Sequence, residues 1–307
     1  MSAGRKVAVL YGGRSSEREV SLKTGAAIHK ALVGKGHDAE LIDVGFDVAE
    51  RLRAEKAEVA FIALHGRYGE DGCIQGLLES MGIPYTGSGV IASAVGMDKV
   101  IAKELFRAKG IPTPEHLAVA QADATAVRLE KLPFGLPVVV KPAREGSSVG
   151  VHIVHVEAEL AAALADAARY KGDVLIERYH AGREVQAAVL DGVGLGVIEV
   201  KPATEFYDFQ AKYHSGGTTQ YLFPAPLPAD VYERVLAIAV QAHRALGCEG
   251  ATRSDLIYGT DGKVVLLEVN TLPGMTEASL LPKIAAGAGL DFATLCERIL
   301  ATAALKA

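Results

Sequence analysis

The sequence has few cysteines and no long apolar run. Its three cysteines, Cys73, Cys248 and Cys296, are far apart in the chain, which argues against both a disulfide framework and a zinc site. We therefore expect free thiols in a reducing compartment. No segment approaches the ~20 apolar residues of a membrane helix, and the first residues hold too short an apolar run for a signal peptide. These absences predict a soluble, cytoplasmic protein with no membrane partner.

The sequence also has no tryptophan and no excess of basic residues. Lysine and arginine number 32 and aspartate and glutamate 37, which gives a formal net charge of −5. No basic run is interleaved with aromatic residues, so nothing in the charge pattern favours a nucleic-acid partner. Half of the 307 residues are hydrophobic. This is ample material for a core, and the length suggests two domains or three small ones.

The first third of the chain alternates predicted strands and helices. Strands are predicted over 6–11 and 58–64, and each is followed by a helix. Strands separated by helices imply a parallel, Rossmann-like sheet. Ser16 and Glu19 fit a capping box at the start of the first helix, predicted over 18–33. Glu17 is not needed for that cap, and it lies at the carboxyl edge of the sheet, where ligands of such folds bind.

The rest of the chain contains predicted strands joined by polar turns. Strands are predicted over 136–142, 151–156 and 173–179. The stretch 202–228 reads as irregular, and loops that long inside a compact protein are usually functional. Helices are predicted over 93–108, 157–169, 229–246 and 291–305.

A hairpin near the C-terminus presents two carboxylates. Asp261-Gly262 lies between two β-like runs and suits a two-residue turn. That turn places Asp255 opposite Glu268 and Arg253 opposite Asn270, all on one face of the sheet. Opposed carboxylates repel unless a cation lies between them. Oxygen ligands of this kind suit Mg²⁺, which is the interpretation we prefer. The alternative is a half-exposed sheet face on which Arg253 offsets the acids.

A magnesium site suggests a phosphate ligand, but the usual phosphate loops are missing. No G-x-x-x-x-G-K-[ST] or G-x-G-x-x-G motif occurs. The candidate is the stretch "KPAREGSSVGV" over 141–151, in which Lys141 ends a strand and a glycine- and serine-rich tip offers backbone N–H groups. Glu177 and Glu184 are, by base rate, exposed acids. Glu177 ends an apolar strand, where hinge backbone can hydrogen-bond an adenine, and Glu184 follows at ribose distance.

Several stretches resemble the ATP-grasp ligases, namely "KPAREGSSVG", "LIE", "RSDL" and "EVNTLPGMT". The stretches "GGRSSEREVSL", "ALHGRYGEDG", "PYTGSG" and "MDK" narrow the resemblance to the D-alanine–D-alanine ligase family. The resemblance covers essentially the whole chain. It implies an α/β and α+β architecture, in which a Rossmann-like N-terminal domain (1–96) precedes a two-lobed ATP-grasp fold. The central lobe would span 97–182. The C-terminal lobe, 183–307, would carry the magnesium site and a substrate-closing loop.

The resemblance also implies an activity and its nucleotide ligands. The family joins two D-alanines for peptidoglycan synthesis, using ATP with two Mg²⁺ ions, for which Mn²⁺ can substitute. The first D-alanine is activated as D-alanyl phosphate, and the amine of the second attacks it. Motif matches assign Asp255, Glu268 and Asn270 to the metal ions. They assign Lys99, Lys141, Ser148, Glu177, Glu184 and Lys212 to the nucleotide.

Motif matches further assign the amino-acid substrates. Glu17 would hold the ammonium group of the first D-alanine, hydrogen-bonded with Ser147 and Tyr213. Arg253 and the backbone N–H of Gly274 would stabilise the tetrahedral oxyanion. His65, Ser279 and Leu280 match substrate-binding positions. The resemblance also implies a homodimer through the N-terminal domain, since the family is usually dimeric.

Three other functions compete with this one. A related ATP-grasp ligase would use D-lactate or D-serine as the second substrate, and Tyr213 argues against it. A nucleotide-dependent oxidoreductase would need a G-x-G-x-x-G loop, which is missing. A catalytically inactive binding protein would have lost some of the motif residues, and all are present.

Overall fold

The structure is a computed structural model that describes residues 4–201 and 219–306. Two predicted site residues, Lys212 and Tyr213, lie outside the described residues. So does most of the stretch predicted to be irregular. Its described end is not wholly irregular, because Gln220–Leu222 forms a short strand that pairs with the end of Val193–Lys201.

The N-terminal part contains a parallel three-stranded sheet. Strand β1 (Val7–Tyr11) lies between β2 (Ala39–Asp43) and β3 (Val59–Ile62). Because the carboxyl ends of parallel strands meet at one edge, the segments that carry Glu17 and His65 come together there. The Rossmann-like arrangement is confirmed. The helices of this part are Arg18–Gly34, Val48–Ala54, Cys73–Met81 and Val90–Met97.

The predicted capping box is wrong. The first helix begins at Arg18, with Glu17 at the N-cap position, and Glu17 makes no side-chain cap hydrogen bond. Ser15 takes over instead. Its hydroxyl accepts a hydrogen bond from Glu17 N (3.2 Å) and donates one to His65 O (2.6 Å). One serine thus ties together the two loops that carry candidate site residues.

The helix predicted over 93–108 is two helices. Val90–Met97 ends at Asp98, whose extended backbone breaks the run, and Lys99–Ala108 begins directly after it. The Asp98 carboxylate accepts hydrogen bonds from Val100 N (3.1 Å) and Ile101 N (3.2 Å). This side-chain cap satisfies amide groups that the first turn of a helix leaves open. As a result, Lys99 is the first residue of a new helix.

The central part is an antiparallel four-stranded sheet. Its order is β4 (His116–Val119), β7 (Val174–Arg178), β5 (Val138–Pro142) and β6 (His152–Val154). The helix Glu157–Ala167 packs on it through buried Leu160 and Leu164. Short 3₁₀ helices cover Gln121–Ala126 and Leu129–Lys131.

The C-terminal part is an antiparallel five-stranded sheet. Its central strands are β8 (Gly182–Leu190) and β11 (Ala251–Gly259), flanked by β9 (Val193–Lys201) and β12 (Val264–Asn270), with β10 (Gln220–Leu222) at the far edge. The helices are Ala229–Leu246, Leu280–Gly287 and Phe292–Ala301. Sequence reasoning missed the helix Leu280–Gly287. It also extended the last helix, predicted over 291–305, past its observed end at Ala301.

The hairpin of β11 and β12 has the predicted pairing of site residues, but its turn is longer than predicted and one strand contains a bulge. Asp255 faces Glu268 and Arg253 faces Asn270, as expected. The turn has three residues instead of two, since Gly259 N donates to Lys263 O (2.7 Å) and Gly262 adopts a positive φ. A β-bulge then restores the register, because Leu256 pairs with Leu266 and leaves Leu267 unpaired. The bulge also buries Leu266 while turning Glu268 to the opposite face.

One apolar cluster joins the N-terminal and C-terminal parts. It includes Val9 and Ile28 from the first sheet and helix, Ala188 and Ile198 from the C-terminal sheet, and Ile284 from the helix that sequence reasoning missed. The faces on which Glu17 and Arg253 lie are therefore held together by a common core. Within residues 4–201 and 219–306, no helix has both the length and the apolar character needed to cross a membrane.

The first helix packs tightly on β1, and we expect Gly25→Ala to loosen it. A Cβ at Gly25 would lie 2.3 Å from Tyr11 Cβ, and overpacking of this kind costs about 1–3 kcal/mol. The thermal unfolding midpoint should fall by several degrees. Gly34→Ala is the matched control in the same helix, because no atom lies within 4 Å of its added methyl group. An equal midpoint for both variants would contradict the tight packing.

Candidate active site

Two adjoining cavities lie where the three sheets meet. The first has a volume of about 570 Å³ and the second about 510 Å³. They share a wall formed by Lys99, Glu145, Gly146, Ser147 and Glu268. Ligands in the two cavities would therefore meet at this wall, with an ammonium group and a carboxylate beside them.

Every predicted site residue that the structure describes lines one of the two cavities. The first cavity is lined by Glu17, His65, Lys99, Ser147, Arg253, Glu268, Asn270, Gly274, Ser279 and Leu280. The second is lined by Lys99, Lys141, Ser147, Ser148, Glu177, Glu184, Asp255 and Glu268. Residues more than 250 positions apart are thus brought to one place.

The Glu17 carboxylate is held by the serine-rich tip. Ser147 Oγ donates a hydrogen bond to Glu17 Oε1. Ser147 and Ser148 have φ values of 51° and 59°, a left-handed conformation that costs non-glycine residues about 1–3 kcal/mol each. Such strain persists where surrounding contacts enforce it. A Cβ at Gly66 would come 2.7 Å from Glu17 Oε2, so a glycine is needed on the other side of the carboxylate.

The His65 ring is buried and fixed at both nitrogens. Its Nε2 lies 3.1 Å from Thr24 Oγ1 and its Nδ1 3.5 Å from Glu70 Oε1. The residue is only 6% exposed. Because a partner at each nitrogen sets the tautomer and the orientation of a histidine, His65 presents a defined edge to the first cavity.

The candidate metal ligands already carry cationic partners. Arg253 donates two hydrogen bonds to Asp255, from Nε to Oδ1 (2.8 Å) and from Nη2 to Oδ2 (3.0 Å). Lys99 Nζ lies 3.3 Å from Glu268 Oε2. Asn270 Nδ2 is 3.4 Å from Asp255 Oδ1. The alternative in which Arg253 offsets the acids is therefore an arrangement that the structure contains.

The donor set nevertheless fits Mg²⁺. Asp255, Glu268 and Asn270 offer only oxygen atoms to a cation and share one face of the hairpin. Among the described residues, no group of three or more His, Cys, Asp or Glu side chains could hold a metal on its own. Mg²⁺ is usually bound through one or two carboxylates, with phosphate oxygens and water as its other ligands. This set suits a cation that arrives with a phosphate ligand.

Glu177 is not the exposed acid that sequence reasoning expected. It is 2% exposed and bridges two lysines, with Oε1 2.7 Å from Lys103 Nζ and Oε2 2.8 Å from Lys141 Nζ. Burial raises the pKa of the Glu177 carboxyl, but the two ammonium groups outweigh it and hold that pKa well below its usual range. Its carboxylate is committed to the lysines, which leaves the backbone of this strand end for a nucleotide base.

Lys103 lines neither cavity but supports the cavity residue Glu177, a role that sequence reasoning missed. It is fully buried, and this desolvation lowers the pKa of its ammonium group. Lys103 Nζ also donates to Thr113 Oγ1 (2.8 Å), which in turn donates to Leu266 O (2.9 Å). A helical signal was available, because Lys103 lies four residues after Lys99, beside the buried Ala102 and Phe106.

The N-terminus of the helix Leu280–Gly287 faces the first cavity. Ser279 is its N-cap residue, and Ser279 Oγ lies 2.8 Å from Thr276 Oγ1. The first amide groups of a helix have no internal partner and attract anions. Gly274 lies close by, since a Cβ at Gly274 would come 2.9 Å from Ser279 Oγ.

We expect Lys103→Met to destabilise the protein strongly. It would leave the buried Glu177 carboxylate with one of its two cations, and breaking a buried ion pair from one side costs about 3–5 kcal/mol. The thermal unfolding midpoint should drop by many degrees. It should partly recover in the double variant Lys103→Met with Glu177→Gln.

Lys109→Met is the control for this prediction, because Lys109 directly follows the same helix and is exposed. Its midpoint should stay near that of the unaltered protein. If Lys103→Met behaved like the control, the buried bridge would not contribute to stability.

Comparison with protein families gives matches over most of the chain. The model described as D-ala D-ala ligase C-terminus matches residues 105–301. The model described as D-ala D-ala ligase N-terminus matches residues 43–88. Among solved structures, a D-alanine–D-alanine ligase from Bacillus anthracis complexed with ATP is 36% identical, with a TM-score of 0.83. The alignment covers 97% of each chain.

Curated relatives match almost the full length. D-alanine–D-alanine ligase from Anaeromyxobacter dehalogenans (strain 2CP-C) is 61% identical over 99% of this chain and 98% of that protein. The protein of the same name from Geotalea uraniireducens is 55% identical over 98% of this chain and 96% of its own. Identity at this level over both parts of the fold shows that the chain belongs to the D-alanine–D-alanine ligase family.

Proposed function

We propose that this protein joins two D-alanines at the expense of ATP, giving D-alanyl-D-alanine, ADP and phosphate for peptidoglycan synthesis. The observation that carries the proposal is the pair of cavities with a shared wall of Lys99, Ser147 and Glu268. Relatives of this chain are named for the same reaction. A nucleotide in one cavity and an amino acid in the other would bring phosphate and carboxylate together at that wall.

The second cavity is assigned to ATP. The similar structure from B. anthracis, compared over 97% of this chain, is a complex with ATP. Lys141, together with Lys99 at the shared wall, supplies positive charge for phosphates, and Glu184 supplies a carboxylate for ribose hydroxyl groups. Backbone groups beside Glu177 would hydrogen-bond the adenine. Lys212, a further phosphate contact by motif match, lies outside the described residues.

The first D-alanine would bind with its ammonium group against Glu17. Its carboxylate oxygen forms a bond to the γ-phosphorus while the bond from that phosphorus to the β–γ bridging oxygen breaks, and ADP leaves. Such transfer needs positioning and charge neutralisation more than covalent help. Lys99 and Arg253 provide this from the protein. Mg²⁺ held by Asp255, Glu268 and Asn270 would neutralise phosphate charge when bound.

The second D-alanine would bind with its carboxylate at Ser279 and Leu280. The helix N-terminus there favours an anion. The amine attacks the carbonyl carbon of the acyl phosphate, and phosphate leaves as the tetrahedral intermediate collapses and the amine loses a proton. Arg253 and the N–H of Gly274 would stabilise the oxyanion, and both line the first cavity together with His65. D-alanine is favoured over D-lactate or D-serine by Tyr213, which lies outside the described residues.

Three further properties accompany this proposal. The domain limits 1–96, 97–182 and 183–307 are supported by the three sheets, whose strands span 7–62, 116–178 and 182–270. The three cysteines are free thiols, which suits a reducing cytoplasm. The proposal includes a homodimer through the N-terminal domain, as the family resemblance implies. Light scattering after size exclusion would test the dimer, and a monomeric mass would refute it.

The reaction is tested by phosphate release with ATP and Mg²⁺. D-alanine, L-alanine, and D-alanine mixed with D-lactate are supplied in parallel, and products are identified by mass. We expect the dipeptide from D-alanine, no product from L-alanine, and no ester from D-lactate. An ester product would move the proposal to the D-lactate ligases. If no phosphate is released with any of these acceptors, the proposed ligase activity is wrong.

Replacing Glu17 should selectively weaken amino-acid use. In Glu17→Gln the ammonium group of the first D-alanine loses a charged acceptor, and a hydrogen bond to a charged group is worth about 1.5–3 kcal/mol. We expect kcat/KM for D-alanine to fall about 10- to 100-fold, with KM for ATP unchanged. Glu19→Gln, an exposed neighbour in the same helix, is the control. An equal loss for ATP would contradict the assignment.

A further inference from the structure

Gln186 lies beside the candidate metal ligands and has no assigned role. It is directly opposite Asp255 in the pairing of β8 with β11, so the two side chains share one face of the sheet. Gln186 is 1% exposed and lines the first cavity. A long polar side chain therefore reaches the site from the strand next to the one that carries Asp255.

The orientation of the Gln186 amide is fixed by its neighbour. Gln186 Nε2 donates to Glu184 Oε1 (3.2 Å). An ionised carboxylate only accepts hydrogen bonds, so the nitrogen must face Glu184 and the oxygen must point away from it. The same amide thus lies between the candidate ribose contact and the candidate cation site.

The Gln186 carbonyl oxygen is buried and lacks a hydrogen-bond partner among the described residues. A buried acceptor left unsatisfied costs about 1–3 kcal/mol, and an apolar side chain of similar volume would avoid this cost. An acceptor that stays unsatisfied in a binding site points to a ligand that supplies positive charge or a donor. Its neighbour Asp255 points to the same kind of ligand.

We propose that Gln186 Oε1 is a further oxygen of the divalent-cation site formed by Asp255, Glu268 and Asn270. The inference rests on the proposed function, which brings Mg²⁺ to these residues with ATP. Through the hydrogen bond from its Nε2 to Glu184, Gln186 links the cation site to the ribose end of the second cavity. Gln186 would bind the cation directly, and it would affect nucleotide affinity only when the cation is bound.

Gln75 provides a matched control within the chain. Like Gln186, it is buried, its Nε2 donates to a protein oxygen (Gly69 O, 2.8 Å), and its Oε1 has no partner among the described residues. Unlike Gln186, it lines neither cavity. Gln75→Met and Gln186→Met therefore each remove one buried side-chain amide, but only the amide of Gln186 lies at the site.

The test measures nucleotide affinity as a function of Mg²⁺. A non-hydrolysable ATP analogue is titrated calorimetrically into the unaltered protein and both variants at a series of free Mg²⁺ concentrations. For Gln186→Met we expect the Mg²⁺ concentration for half-maximal tightening to rise about tenfold. Affinity without Mg²⁺ should be unchanged, and Gln75→Met should match the unaltered protein. Without ligand, the unfolding midpoint of Gln186→Met should be no lower than that of the unaltered protein.

Each other result overturns the inference in a recognisable way. An unchanged Mg²⁺ dependence in Gln186→Met shows that the oxygen does not serve the cation. An equal loss with and without Mg²⁺ shows that Gln186 acts only through Glu184. A rise in KM for D-alanine alone assigns the oxygen to the substrate ammonium group. Absence of any Mg²⁺ dependence in the unaltered protein removes the proposed cation site itself. Gln186→Leu replaces the methionine variant if the latter does not fold.

Discussion

The buried Glu177 carboxylate holds two lysines and, through them, much of the site. Lys141 and Lys103 approach its two oxygens from β5 and from the helix that begins at Lys99. Taking three charges out of water is costly unless each is paired and hydrogen-bonded. Here Thr113 accepts a hydrogen bond from Lys103 and donates one to the backbone oxygen of Leu266 in β12. One charged group therefore joins the central sheet to the hairpin that carries the candidate metal ligands.

That connection arrives at the point where β12 changes direction. Leu266 is buried, Leu267 is unpaired and lines the second cavity, and Glu268 faces Asp255. A regular strand would place Leu266 and Glu268 on the same face. The bulge instead gives one residue to the core and the next two to the cavities. Core packing and cavity lining are thus provided by three consecutive residues.

The site is rich in charge that is already balanced before any ligand is considered. Arg253 pairs with Asp255 and Lys99 with Glu268, while the neutral Ser147 hydroxyl donates a hydrogen bond to Glu17. Pairs at the border of a cavity hold these side chains in defined positions. Under the proposed function, a nucleotide and its cations would exchange partners with groups that are already in place. The strained φ angles of Ser147 and Ser148 indicate that this order is enforced by surrounding contacts.

Local patterns in the sequence account for most of the elements. The alternation of strands and helices in the first third, the helix Ala229–Leu246 and the pairing of Asp255 with Glu268 follow from periodicity and turn residues. The predicted pairing of Asp255 with Glu268 was correct partly because two unpredicted features offset each other. The longer turn shifts the register by one residue, and the bulge shifts it back. The predicted helix boundaries were wrong where a single side chain sets them. Asp98 divides one predicted helix into two, and Ser15 provides the hydrogen bond at the start of the first helix that was expected from Ser16.

The family, the parallel N-terminal sheet, the antiparallel C-terminal hairpin and the residue types available for chemistry can all be read from the sequence. The burial of Glu177, its pairing with Lys103, and the lack of a partner for the Gln186 oxygen among the described residues depend on the three-dimensional arrangement of the chain. The physical reason is that burial and pairing are long-range properties. Lys103 and Glu177 are 74 positions apart, so no local pattern records the cost of burying either charge or the partner that offsets it.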